Sequence, residues 1–168
     1  MKKYLVLIAI IITILCINKK EEVIIPDNSI RFRVIANSNT IEDQLVKKQI
    51  VNTLKEEIIE IESKSNTIEE SRDNINKSIK EIEKKVNKET NNNIKIDYGY
   101  NYFPRKVYRG VIYNEGMYES LVITLGEGKG NNFWCVLFPP LCNIDEKEEN
   151  IEYTSIVKEI INKYAKKA

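Results

Sequence analysis

Few residues of this chain have the types and spacing that chemistry demands. Cys135 and Cys142 form an even pair around Val136-Leu137-Phe138-Pro139-Pro140-Leu141. In an oxidising compartment such a pair invites a disulfide, and closing that short ring would stabilise the chain by about 2.5 kcal/mol, less where two prolines already restrict the unfolded loop. The alternative is two buried, reduced thiols. Arg31 and Arg33 alternate along one polar face and could clamp a carboxylate; the ordinary reading is a solvated face with cross-strand pairs to Asp97 or Glu119. Trp134, next to Phe133, opens a run that ends at Pro139-Pro140 and would serve either as an exposed anchor for a partner or as core packing. Gly126-Glu127-Gly128-Lys129-Gly130 could cradle a phosphate, but its spacing is neither a dinucleotide fingerprint nor a P-loop and no helix follows, so a long hairpin loop is expected.

The sequence contains no histidine. That removes Ser-His and Cys-His nucleophile pairs, imidazole acid/base catalysis and every His-containing metal site. Ser38 and Ser120 would need a lysine or a carboxylate brought to them by the fold, and zinc would need two carboxylates beside the two thiolates. No cofactor, no metal and no catalytic residue is expected.

Composition narrows the class further. A chain of 168 residues suits one domain that buries roughly two-thirds of its unfolded surface. Its 26 Lys and Arg against 25 Asp and Glu leave no basic excess for nucleic acid. Ile, Asn, Lys and Glu are abundant, so charge runs such as 146–149 read as solvated surface. Met1-Lys2-Lys3 precedes an apolar run from Tyr4 to Ile17 that spans about 21 Å as a helix against a hydrocarbon core of about 30 Å. Residues 1–20 therefore read as an export signal or, if uncleaved, an N-terminal anchor touching the membrane, with Cys16 inside it; 21–29 reads as a linker and 30–168 as a single domain.

Elements that must position the candidate residues follow from periodicity. Residues 30–36 alternate as a half-buried strand, and Thr40 to Glu62 carries isoleucine and leucine at helical spacing behind a capping signal. Thr67 with Glu70 caps a second amphipathic helix that ends at Asn91-Asn92-Asn93, and the short connection predicts an antiparallel helix pair. Strands are expected from Ile94 to Tyr102, from Val107 to Tyr113, from Tyr118 to Leu125 and from Asn132 to Phe138, with a last helix from Ile151 to Lys166. The fold class is α+β: a two-layer domain in which an antiparallel sheet is packed by two long antiparallel helices and a C-terminal helix.

Longer motifs carry a resemblance. Ile30-Arg-Phe-Arg-Val-Ile-Ala-Asn-Ser38 with Glu42-Asp-Gln44, Tyr102-Phe-Pro-Arg-Lys-Val-Tyr108, Gly116-Met-Tyr-Glu119, and the run from Gly126 to Cys142 resemble the stage II sporulation protein R family. The resemblance implies an exported forespore signalling protein, without catalytic residues, acting in the space between the two membranes. Its implied partner is a membrane-embedded aspartic peptidase of the mother cell, which processes the precursor of an early sigma factor. Residues expected to meet that partner are Phe103, Pro104 and Lys106, with Trp134, Pro139 and Pro140 as apolar anchors and Arg31 and Arg33 as charged ones. Cys135 and Cys142 are expected to be structural. The competing reading is an envelope domain that binds or hydrolyses peptidoglycan through a carboxylate such as Glu127 or Asp97.

Overall fold

The computed structural model describes residues 22–143 and 150–165. The apolar run Tyr4–Ile17, Cys16, the charge run at 146–149 and Lys166 lie outside the described residues. Among the described residues no helix is long and apolar enough to cross a membrane.

Among the described residues, seven strands and four helices follow in the order β1 (Val23–Ile24), β2 (Ile30–Ile35), α1 (Ile41–Thr53), α2 (Lys55–Ser63), α3 (Ile68–Glu89), β3 (Ile94–Phe103), β4 (Lys106–Tyr108), β5 (Val111–Tyr113), β6 (Gly116–Leu125), β7 (Asn132–Phe138) and α4 (Asn150–Ala165). The class is α+β in two layers, as expected. Thr40 and Thr67 cap α1 and α3 by accepting from the main-chain N–H of Asp43 and Glu70. The expected first helix is divided at Leu54, yet Leu54 still donates to the Ile50 carbonyl and accepts from Ile58, so α1 and α2 run on through a slight bend. Contacts of Gln49 and Thr53 with Glu89, of Glu57 with Lys85 and of Ser65 with Asn74 step in opposite directions along the two segments, which makes α3 antiparallel to α1 and α2.

The main sheet has the order β3-β6-β2-β7 and is mixed, because β2 lies parallel to β6 while every other neighbour is antiparallel. Two consequences correct the sequence reading. β6 and β7 do not form a hairpin: β2 lies between them, and the glycine loop passes over its end. β2 is also not half-buried, since Ile30, Phe32 and Val34 pack under the helices while Arg31 is 2 % exposed on the other face. Residues 107–113 likewise form no single strand. They fold as the tight hairpin β4–β5, turned at Arg109 and Gly110 with φ of 49° and 80°, the pair of positive values that a two-residue hairpin turn requires.

A second sheet, β1-β5-β4, grows from the stretch read as linker, where Val23–Ile24 pairs in parallel with Val111–Ile112. Two cores result. Ile50, Leu54, Ile61, Ile75, Ile82 and Val86 meet Phe32, Leu121, Ile123 and Leu137 between helices and main sheet. Val23, Ile25, Val111, Val136, Leu141, Tyr153 and Val157 form the second, holding α4 against the small sheet.

The glycine loop is built for close approach. Gly130 and Lys129 donate to the carbonyls of Ala36 and Asn37, and the N–H groups of Glu127 and Asn131 donate to the side chains of Asn37 and Asn39. A Cβ on Gly130 would stand 2.2 Å from the Ser38 carbonyl oxygen. Amides of residues 127 and 129–131 therefore bind the segment from Ala36 to Asn39, and those of Gly126 and Gly128 bind the Asn93 and Leu125 carbonyls, so they are not turned inward for an anion.

Candidate functional site

On the sheet face away from the helices, Phe103 at the end of β3, Tyr118 and Val122 on β6 and the half-buried Trp134 on β7 form a third apolar cluster. Phe103 is 1 % exposed and stacks edge-on against Trp134 at 5.1 Å and Tyr118 at 6.2 Å. The arginines of β2 point into this cluster. The Arg31 guanidinium lies 3.3 Å from the centre of the Tyr118 ring and 5.3 Å from that of Phe103, and its Nη1 donates to the Asn114 carbonyl at 3.3 Å. Arg33 lies 4.7 Å from the Trp134 ring, and with the Asn132 amide turned to satisfy both partners the Asn132 oxygen accepts from its Nε and Nη2. Burial lowers the affinity of both arginines for their proton. The pairs with Asp97 or Glu119 do not form, because Glu119 is held by Arg72 at 2.8 Å and by the Tyr98 hydroxyl at 2.8 Å.

Lys106 extends the cluster outward, its ammonium 5.4 Å from the Trp134 ring. There it opens on a groove of about 910 Å³ that runs along β7, one of the two edge strands of the main sheet. One wall is the face of α1 and α2 that carries Lys47, Lys48, Val51 and Lys55; the other holds Pro104, Lys106, Tyr108, Arg109 and Tyr153. Spacing of three and four along the helices puts those lysines on one stripe. Among the described residues that line the groove there are six cations, counting Arg31, and no Asp or Glu. Lys47 spends its protons on the Gln44 oxygen and the Asn131 carbonyl, at 2.6 and 2.9 Å. Burial holds the Lys47 and Lys106 ammonium groups below the ordinary lysine range, and for Lys106 the charge of Lys47 across the groove adds to the effect.

Of the residues expected at an interface, the structure brings Arg31, Phe103, Pro104, Lys106 and Trp134 to this groove, with Arg33 stacked behind Trp134. Pro139 and Pro140 stand apart from it; Pro139 is buried and follows a cis peptide bond. The sulfurs of Cys135 and Cys142 are at bonding distance, 2.00 Å, with Cα atoms 5.1 Å apart, at the end of the groove. Behind that end, Glu62 on α2 accepts from the Cys142 N–H at 2.9 Å and from the Asn143 amide, and burial pushes its carboxyl up to about 7 against the pull of those donors. The lysine stripe on α1 and α2, the aromatic residues of the β4–β5 hairpin and α4, and Glu62 were not singled out from the sequence. The lysine spacing was visible there, but only the tertiary pairing gives it a facing wall. Glu127 is an exposed partner of Lys129 at 2.7 Å, and among the described residues no group of three or more His, Cys, Asp or Glu could hold a metal ion.

Fold and site together describe a small α+β domain with a cationic, aromatic-walled groove beside one edge of its main sheet. The chain belongs to the stage II sporulation protein R family, whose model matches residues 26–148. A curated relative from Bacillus subtilis (strain 168), named Stage II sporulation protein R, is 38 % identical over an alignment that covers 90 % of this chain and 75 % of that protein. No solved structure matches. The chain is thus a sporulation protein.

Proposed function

We propose that this chain is an exported signalling protein, made in the forespore, that acts on the extracytoplasmic side of a membrane-embedded aspartic peptidase of the mother cell. Occupied by this ligand, the peptidase cleaves the precursor of an early mother-cell sigma factor. The observation that carries the reading is the family match across most of the described chain. It is supported by a histidine-free sequence, by the basic and apolar start of the chain, and by a groove that offers cations and aromatic rings but no paired carboxylates. Activation of this kind demands that the ligand bind the active form of the peptidase more tightly than the inactive one, since equal affinity shifts no equilibrium.

The test is reconstitution in a bacterium that does not sporulate, expressing the precursor and the peptidase with this chain either complete or lacking Met1 to Asn18. Cleavage of the precursor on a gel is expected only with the complete, exported chain. An uncleaved precursor, with the folded domain found outside the cytoplasm, defeats the proposal and turns attention to binding of purified peptidoglycan.

A further inference from the structure

β7 ends the main sheet, and its outer edge has no strand beside it among the described residues. The Val136 carbonyl points to that outer side, because it accepts from the Leu141 N–H at 3.0 Å. Alternation along a strand then directs the main-chain groups of Trp134 and Asn132 the same way, into the groove. An unpaired edge is a template for another strand, and natural sheets ordinarily blunt or cover it. Here its first part, Asn132 to Cys135, is left at the floor of an open trough, while Leu141 and Cys142 cover the edge beyond it.

The walls select what could lie there. Side chains of an added strand would alternate between the stripe of Lys47, Lys48 and Lys55 and the wall of Lys106, Tyr108 and Tyr153. Among the described residues none of those four lysines makes a salt bridge, and the Lys47 charge already disfavours that of Lys106. Carboxylates on the incoming segment would relieve that crowding, and main-chain pairing with β7 distinguishes an extended peptide from other polyanions.

We infer that the groove is a strand-addition site for an extended, acidic peptide segment, held by main-chain hydrogen bonds to Asn132 and Trp134 and by Lys48, Lys55 and Lys106 around its carboxylates. The site stands on its own geometry; only the source of the natural segment, an extracytoplasmic stretch of the peptidase, rests on the proposed function.

The test uses the folded chain and a fluorescein-labelled octapeptide of alternating Glu and Thr, followed by anisotropy. Two analogues carry N-methyl groups on every Glu or on every Thr. The unmodified peptide is expected to bind, to weaken with salt, and to bind at least tenfold less tightly to the double variant Lys48→Glu/Lys55→Glu, whose sites are exposed and whose fold is checked by circular dichroism. One N-methylated series is expected to lose binding and the other to keep it, because only alternate residues of an added strand face its partner. Equal binding of both series, equal binding of a Lys-Thr octapeptide, or no binding of the Glu-Thr peptide overturns the inference. A site that binds the peptide while reconstituted cleavage is unchanged by Lys48→Glu/Lys55→Glu retains strand addition and removes the peptidase as its source. The reverse result, lost cleavage without peptide binding, removes strand addition and leaves the signalling reading intact.

Discussion

Arg31 shows how far a single side chain can depart from what its type predicts. It is among the largest fully buried side chains, its Nε and Nη2 have no hydrogen-bond partner, and three aromatic rings within 6.0 Å take the place of a carboxylate. Truncation to alanine would remove that stack, the bond to Asn114 and the packing of the stem. Arg31→Ala is expected to lower unfolding free energy by about 2 to 4 kcal/mol in urea titrations, with Arg31→Lys falling between it and the parent chain. An unchanged midpoint for the alanine variant would show that the stack carries no stability. Glu62 is also a buried charge-bearing group, and its carboxyl holds its proton up to about 7. The folded chain therefore binds this proton more tightly than the unfolded one, so the stabilisation is complete below the ordinary glutamate range and is lost as pH rises through about 7. Stability is expected to fall between pH 5 and pH 8 by on the order of 3 kcal/mol more in the parent than in Glu62→Gln. Parallel pH profiles for the two proteins would refute this.

Between elements, the decisive contact joins two loops far apart in the chain. The turn after β2 and the loop before β7 share four main-chain N–H donors, and both were prominent as motifs without any sign that they touch. Gly130 is required by proximity and Gly126, at φ 55°, by both conformation and the Asn37 side chain. Gly130→Ala and Gly126→Ala are each expected to cost about 2 kcal/mol or more. Gly99→Ala, where an added Cβ meets nothing within 4 Å, should change stability by about 0.5 kcal/mol or less. Thermal unfolding of the three variants side by side checks the ranking, and equal midpoints would refute it.

For the whole molecule, the placement of β1 and α4 matters most, since together they complete the second core. A chain begun at Pro26 would lose Val23 and Ile25 from that core, and α4 should then be cut first in limited proteolysis while the main sheet stays resistant. Equal resistance of α4 in both chains would show that β1 contributes nothing to its docking. A bond between Cys135 and Cys142 closes a short ring, sequence separation 7, so reductant is expected to lower stability by about 2 kcal/mol, read from urea midpoints with and without it; no change would indicate thiols. The sequence alone determined the helices, because capping and periodicity are local, and it determined the positions of the long strands β3 and β7, because alternation and turn residues are local too. Local pattern also singled out Arg31 and Trp134, whereas Phe103 and Lys106 were named only by the family resemblance. Only the tertiary structure decided the partners of each strand: that β2 enters the sheet beside β6, that β7 is left at the edge, and that Lys47, Lys48 and Lys55 face Lys106 across it. Period-two alternation says which side a residue faces and nothing about which strand lies next to it. That choice is made by burial of both faces of β2, a property of the assembled layers and not of any one segment.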